Sequence, residues 1–255
     1  MPRNTSKPAT QRFRLTLAYD GTAYAGWQVQ PDRATIQSLL EERLALLVKH
    51  PCKVHGSGRT DSGVHAVGQV AHVDLATRMA PAALLRALNA RLPPDIRVKA
   101  VQRVAATFHA RRDATAKEYR YHLYNGDVMP PHERLYALHL YGPLDLAAME
   151  AGAACFVGRH DFASFMSNPD RVLESTVRTI SSFTIRRRGP RLTFVVRGNG
   201  FLYRQVRSMV GLLLRIGRGD EAPGLVAELL ASHQPRTARV PSAPPQGLFL
   251  WRVWY

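Results

Sequence analysis

Apolar and polar residues alternate along the first part of the chain that shows a regular pattern. Phe13, Leu15, Leu17 and Tyr19 occupy every second position, with polar or small residues between them. Because neighbouring side chains of a strand point to opposite faces of its sheet, this pattern predicts a half-buried β-strand.

The next segments alternate between helical and strand periodicity. Thr35 precedes apolar residues at helical spacing, which predicts a helix capped by Thr35. A strand near 53–55, an alternating strand at 69–75, a helix starting at Pro81 and a strand at 96–104 follow. The resulting order, β-α-β-β-α-β, is the ferredoxin-like pattern.

The second half of the chain repeats this order. We predict a strand, a helix, a hairpin turning at Gly189-Pro190, two helices and a last strand, at 118–125, 146–156, 177–188 with 192–197, 201–216, 224–230 and 248–254. The sequence therefore predicts an α+β fold of two ferredoxin-like (RRM-like) halves whose sheets lie side by side around a cleft.

The predicted organisation has three parts. A disordered basic tail at 1–11 precedes an N-terminal half at 12–107, and the C-terminal half is 108–255. Two cysteines, Cys52 and Cys155, lie in different halves and need not pair, which favours a reducing, cytoplasmic location.

The charge of the chain favours a polyanionic partner. The 35 lysines and arginines exceed the 19 acidic residues, a formal net charge of +16 spread along the whole sequence. A membrane surface is the rival polyanion, but no apolar run approaches the ~20 residues of a spanning helix. Residues 1–14 also lack the apolar core of a signal peptide.

A glycine-rich segment at 54–66 carries the candidate chemistry. Its glycines do not fit a dinucleotide fingerprint, because Asp61 occupies the third glycine position and would repel a pyrophosphate. A P-loop is also excluded, since Val64-His65 stand where lysine and a hydroxyl residue are needed. Taken alone, the residues favour a tight turn of Asp-Ser-Gly composition.

A zinc site is another candidate in this part of the chain. Its ligands would come from Cys52, His55, His65 and His72, but these residues show no Cys-x-x-Cys or His-x-x-x-His spacing. We therefore predict no metal site.

Residues 58–66, which read Gly-Arg-Thr-Asp-Ser-Gly-Val-His-Ala, resemble the catalytic loop of the tRNA pseudouridine synthase A family. Ser62 stands where that family usually has alanine. Further blocks in the same order resemble the family at 18–28, 108–121, 158–165, 200–211 and 243–248.

The resemblance implies an activity and a set of site residues. It implies that Asp61 is the catalytic nucleophile, that Tyr119 is the active-site tyrosine and that Arg207 pairs with Asp61. It also implies a basic active-site cleft between the halves, a homodimer, and tRNA as substrate, modified at positions 38, 39 and 40 of the anticodon stem-loop. Because the isomerisation involves no redox change and consumes no water, we expect no nicotinamide, flavin, nucleotide cofactor or metal.

Each candidate residue has an expected role. Whether Asp61 attacks C1′ of the ribose or removes a proton from C2′ stays open. Arg59 is expected to contact substrate phosphate or to fill the gap left by the extruded base. We expect Tyr119 to stack on the uracil and to help remove the C5 proton, and to face the site while Tyr121 faces the opposite side.

The sequence is also compatible with two functions other than an enzyme. One is a non-catalytic RNA-binding protein with two RRM-like halves, although the matching strand at 68–73 has no aromatic residue. Another is a basic structural component of a ribonucleoprotein.

The aromatic segment 24–28 is equally consistent with packing in the core and with contact to RNA. Arg204, Arg207 and Arg215 would ordinarily form a solvated basic face.

Overall fold

The computed structural model describes residues 8–167 and 174–255. The chain divides into two compact units, one that runs up to Ala114 and includes Tyr255, and one formed by Thr115–Trp254. The fold is mixed α+β, as predicted, and the described residues include five α-helices. The division falls after Ala114, whereas the sequence pattern suggested a boundary at 107.

The described part of the first unit contains four strands and two α-helices in the predicted order. They are β1 (Thr10–Tyr19), α1 (Ile36–Val48), β2 (Val54–Gly56), β3 (His65–Ala76), α2 (Pro81–Asn89) and β4 (Ile96–Val104). The strands pair antiparallel in the order β4-β1-β3-β2.

Local sequence explains where these elements begin. The β1 side chains that alternate with polar residues (Phe13, Leu15, Leu17 and Tyr19) are all buried. Thr35 caps α1 in a reciprocal arrangement, because its hydroxyl accepts a hydrogen bond from the Ser38 amide while its own amide donates to the Ser38 hydroxyl. Pro81 begins α2, where its missing amide hydrogen costs nothing.

The predicted tail at 1–11 is corrected at its end. Residues 1–7 lie outside the described residues, whereas Thr10 and Gln11 belong to β1 and pair with Ala76 and Leu75 of β3. The strand begins earlier than its apolar alternation suggests because its first residues are held by backbone pairing.

The described part of the second unit contains six strands and three α-helices. Its elements are β5 (Ala116–Tyr124), β6 (Leu138–His139), α3 (Leu146–Cys155), β7 (Gly158–Asp161), β8 (Val177–Arg188), β9 (Arg191–Gly198), α4 (Gln205–Gly217), α5 (Leu225–Ser232) and β10 (Leu248–Trp254). The strand order is β10-β5-β9-β8-β7, and β6 pairs with β5 in parallel. Arg188 pairs with Arg191, so Gly189-Pro190 forms the predicted turn, with Gly189 at φ +58°.

The helix predicted at 201–216 begins later than expected, at Gln205. Arg204 lies in the left-handed region at φ +59°, a conformation that cannot continue a right-handed helix. A reciprocal pair of hydrogen bonds holds this turn: the Leu202 amide donates to the Gln205 side chain, and the Gln205 amide donates to the Leu202 carbonyl. From Gln205 onward almost every residue of α4 is buried.

None of the described helices has the length and apolar character needed to cross a membrane.

Candidate active-site residues

The loop between β2 and β3 carries Asp61 at the start of a tight turn. The Val64 amide donates to the Asp61 carbonyl at 3.1 Å, and Gly63 takes φ +75° inside this turn. Asp61 itself is half-buried, while its neighbour Thr60 is buried. The turn that the residues alone favoured is therefore present, and it projects a carboxylate that is neither fully buried nor fully exposed.

A buried polar network fixes the chain before Asp61. The hydroxyl of Tyr19 lies 2.8 Å from that of Thr60. The side chain of Gln69 donates to the Gly58 carbonyl at 2.9 Å and accepts a hydrogen bond from the Ser57 hydroxyl at 2.7 Å. Burial raises the pKa of Tyr19 to about 12, so its hydroxyl keeps its proton at neutral pH.

The aromatic segment at 24–28 packs against the same loop. Tyr24 and Trp27 are buried, and the Trp27 amide donates to the Thr60 carbonyl at 3.0 Å. Gly26 has φ +91°, and a Cβ atom there would lie 2.5 Å from the Thr60 carbonyl oxygen. Of the two interpretations of this segment, the structure supports core packing, because the segment packs behind the loop that carries Asp61.

Arg59 is exposed on this loop. Its Nε donates to the side-chain oxygen of Gln28 at 3.2 Å, which steadies the guanidinium at the surface. Such a position suits contact with a phosphate, one of the two roles expected for Arg59.

In the second unit, Tyr119 lies on β5 and is 8% exposed. Its ring meets the ring of Phe201 edge to face, with centroids 5.1 Å apart. The expectation that Tyr121 faces the opposite side is wrong: Tyr119 and Tyr121 are both buried on the same face of β5. The physical reason is that residues two positions apart on a strand share a face.

Arg207 lies in the first turn of α4 and is buried, with 8% of its surface exposed. Its Nε donates to the Ala243 carbonyl at 2.7 Å, while the Ala243 amide donates to the Arg207 carbonyl at 2.9 Å. Burial raises the pKa of the nearby Tyr121 hydroxyl, and the positive charge of Arg207 opposes part of that rise. The geometry presents a guanidinium whose direction is set by the backbone of the chain beside α4.

The three arginines of this region have different surroundings. Arg207 is buried, Arg204 is exposed at the start of the helix, and Arg215 lies 3.4 Å from the carboxylate of Glu221. The solvated basic face expected from helical spacing therefore does not include Arg207.

The predicted site residues are divided between the two units. Asp61 and Arg59 share one loop of the first unit, whereas Tyr119 and Arg207 belong to the second unit. The pairing of Asp61 with Arg207 joins residues of different units and stays a prediction. The supporting residues Ser57, Thr60 and Gln69 were not singled out from sequence, because no local pattern distinguishes a polar residue that braces a loop.

Among residues 8–167 and 174–255, no group of three His, Cys, Asp or Glu side chains is arranged to hold a metal ion. Of the zinc candidates, His55 and His72 stack ring on ring, with centroids 4.9 Å apart.

Comparison with known proteins identifies the family. The family model described as tRNA pseudouridine synthase matches residues 16–113 and 153–255. The tRNA pseudouridine synthase A of Exiguobacterium sibiricum is 45% identical over 245 residues, which cover 96% of this chain and 97% of that protein. The enzyme of the same name from Solidesulfovibrio magneticus is 47% identical over 251 residues, covering 96% of this chain and 91% of that protein.

Among solved structures, the archaeal box H/ACA sRNP Nop10-Cbf5 complex matches 79% of this chain and 43% of that chain, at 17% identity and a TM-score of 0.32. That likeness is too low to bear on the fold or the activity. The two sequence matches decide the question: the chain belongs to the tRNA pseudouridine synthase A family, whose members isomerise uridine to pseudouridine in tRNA.

Proposed function

We propose that this enzyme modifies uridines 38, 39 and 40 of the tRNA anticodon stem-loop, with Asp61 as its catalytic nucleophile. The observation that supports Asp61 is the bracing of its loop on both sides. Thr60 is held by Trp27 and Tyr19, and the Ser62 hydroxyl donates to the Tyr24 carbonyl at 3.2 Å. A carboxylate presented at a fixed angle is what attack on a ribose carbon requires, because misplacement of a reacting group slows its reaction.

The reaction exchanges one bond to C1′ of the ribose for another. The bond from N1 of uracil to C1′ breaks, the base turns, and C5 bonds to C1′, while C5 loses a proton and N1 gains one. Asp61 either forms an ester at C1′ or takes the C2′ proton to give a glycal, and both routes use the same carboxylate in the same place.

Arg207 supports Asp61 in this proposal. A guanidinium offers two parallel N–H donors to the two oxygens of a carboxylate, so it can set their orientation as well as balance their charge. The Nε of Arg207 is already engaged with Ala243, which leaves its outer nitrogens pointing in a defined direction.

Tyr119 receives the extruded base. Flipping a uridine from its stack costs a few kcal/mol, and stacking on an aromatic ring returns on the order of 1–3 kcal/mol. The edge contact with Phe201 holds the Tyr119 ring, and its hydroxyl is the candidate for removing the C5 proton.

The rest of the proposal concerns the fold of the two units, the oligomeric state and the location in the cell. In each unit, four strands pair in the order of a ferredoxin-like sheet, β4-β1-β3-β2 in the first and β10-β5-β9-β8 in the second. We therefore propose that each unit is one ferredoxin-like half, with the boundary after Ala114. We further propose a homodimer that works in the cytoplasm.

The test of this function uses unmodified tRNA transcripts that carry a single uridine at position 38, 39 or 40. Pseudouridine is detected by carbodiimide labelling and primer extension. Conversion at these positions, and none at uridines outside the anticodon stem-loop, supports the proposal. Binding of tRNA without any conversion would instead favour the RNA-binding module, and conversion elsewhere would move the substrate site.

A further inference from the structure

We propose that Arg236, together with Arg204, binds a backbone phosphate of the RNA substrate beside the start of α4, next to Arg207. The proposal rests on the function proposed above, since it takes the anion to be part of the tRNA. It assigns a substrate contact to the segment 234–240, to which the proposed function gives no role.

The guanidinium of Arg236 is held in place by hydroxyl groups. Its Nη1 donates to the hydroxyls of Ser167 and Ser242 at 2.7 Å each, and approaches the hydroxyl of Ser208 at 3.3 Å. These neutral acceptors come from three separate parts of the chain. They fix the direction of the guanidinium, and none of these three acceptors carries a negative charge.

Like charges gather around this group. Burial lowers the pKa of Arg236, and the positive charges of Arg204 and Arg207 lower it further. A negatively charged group beside Arg236 would be attracted by its guanidinium, and partial burial weakens the screening of that attraction by water.

The remaining N–H donors of Arg236 match the geometry of a phosphate. In the part of the chain that the structure describes, the hydrogen bonds of Arg236 all come from Nη1. Its Nε and Nη2 therefore remain as two parallel donors, the fork that matches two oxygens of a phosphodiester. Because RNA presents such a group at every nucleotide, the backbone of the substrate is the matching ligand.

Arg204 contributes an adaptable second donor. It adopts φ +59°, a strained conformation for a residue with a side chain, and its guanidinium lies 5.0 Å from the centre of the exposed Tyr203 ring. A strained backbone conformation persists only where surrounding contacts maintain it. Here it places Arg204 directly before the first residue of α4, outside the helix.

A nearby arginine shows the contrast. Arg239, three positions beyond Arg236, donates to the Glu221 carboxylate at 2.7 and 3.2 Å. Its charge is compensated within the protein, so it makes a matched control for a substitution at Arg236.

The test compares Arg236→Gln with Arg239→Gln in tRNA binding at several salt concentrations. Each protein–phosphate contact contributes about 0.7–0.9 to the slope of log affinity against log salt. We expect Arg236→Gln to reduce the slope by about this amount and to weaken binding roughly 10-fold at moderate salt, while Arg239→Gln matches the wild type. Thermal melting of both variants checks that they fold.

A second variant covers the case in which Arg236→Gln does not fold. Arg204→Asn removes an exposed charge while keeping a residue that tolerates the left-handed conformation, so it should fold and lose a similar part of the slope. Unchanged slopes in the folded variants, with normal turnover by the wild type, would overturn the phosphate site alone. A wild type that binds tRNA without turnover would overturn the proposed function instead.

Discussion

The hydroxyl of Tyr19 lies 2.8 Å from the hydroxyl of Thr60, although 41 positions separate the two residues. Tyr19 ends β1, and Thr60 directly precedes Asp61. The contact therefore ties the loop that carries Asp61 to the end of β1, and the side chain of Gln69 lies within 3.4 Å of the same tyrosine hydroxyl. The position of Asp61 depends on this buried network.

Replacing Tyr19 with phenylalanine tests this dependence. The substitution keeps the ring but leaves the buried Thr60 hydroxyl without this partner, which should cost about 1–3 kcal/mol of unfolding free energy. Because Asp61 is then less well held, we expect kcat to fall about 10- to 100-fold with tRNA affinity unchanged. Urea unfolding and single-turnover kinetics measure the two effects.

Tyr24→Phe is the matched control. Its hydroxyl donates to the Asp95 carboxylate at 2.8 Å, away from the Thr60 contact. This variant should lose stability but keep the wild-type kcat. Equal loss of kcat in both variants would show that the kinetic effect follows from general destabilisation.

Gly26→Ala tests the close approach of the aromatic segment to the catalytic loop. A Cβ atom there would lie 2.5 Å from the Thr60 oxygen and 3.0 Å from the Asp61 carbonyl carbon. We expect the loop to shift, with a loss of both stability and kcat. Gly142→Ala is the control, since Gly142 has φ +86° but nothing within 4 Å of the added atom. It should show only the backbone strain of about 1–2 kcal/mol. Activity of Gly26→Ala at the wild-type level would contradict the bracing role.

Arg207→Lys tests the buried guanidinium. Lysine keeps a positive charge but cannot offer two parallel donors, so we expect turnover to fall about 100-fold while tRNA affinity changes little. Arg215→Lys, on the same helix but at the surface beside Glu221, should behave like the wild type. Rapid-quench measurements of turnover and filter-binding measurements of affinity separate the two effects. Wild-type turnover by Arg207→Lys at neutral pH would show that turnover does not require the two parallel donors of a guanidinium at this position.

The stability of the first unit should fall in mild acid because of His72. Burial, followed by the charges of His55, Arg12 and His109, lowers its pKa to about 4, and Asp74 opposes the shift. An unfolded histidine takes up its proton near pH 6.5, so below this value the unfolded chain binds more protons than the folded one. The unfolding free energy should therefore decrease between about pH 6.5 and 4, by at most ~1.4 kcal/mol per pH unit from this group.

Urea unfolding across this pH range checks the prediction. His72→Gln should show a shallower decrease than the wild type, while His132→Gln, at a side chain that is 80% exposed, should not differ from it. If the unfolding free energy of His72→Gln falls with pH as steeply as that of the wild type, groups other than His72 cause the acid sensitivity.

Much of the secondary structure could be predicted from local sequence. The strands at 96–104 and 248–254 match their predicted bounds, and Thr35 caps α1 as its chemistry suggests. These elements carry apolar periodicity and end at turn residues, so short stretches of chain define them.

The rest depends on contacts between distant residues. The strand β3 begins at His65, before any alternation is visible, because Tyr19 of β1 pairs with Ala66. The late start of α4 depends on the conformation of Arg204, which apolar periodicity does not reveal. Asp61 itself could be singled out only through the resemblance of its loop to a known family.

The polar side chains that hold the loop of Asp61 could not be predicted from local sequence either. Ser57, Thr60 and Gln69 have no common spacing, and they meet only because β1 and β3 are neighbours in the sheet. The buried position of Arg207 likewise depends on the chain at 241–243 lying against α4, where a Cβ atom on Gly211 would come within 2.0 Å of the Pro241 oxygen. Helical spacing alone predicts a solvated side chain there.

The measurement that tests the central claim most directly is tritium release from C5 of uridine-labelled, unmodified tRNA by wild-type protein and by Asp61→Asn. Removing a covalent nucleophile has cost about a million-fold in another enzyme, so release by the variant should be undetectable while its tRNA affinity and melting temperature stay close to those of the wild type. Asp127→Asn, at an exposed carboxylate, should release tritium normally. Release by Asp61→Asn at a rate near that of the wild type would contradict the assignment of Asp61 as the catalytic residue.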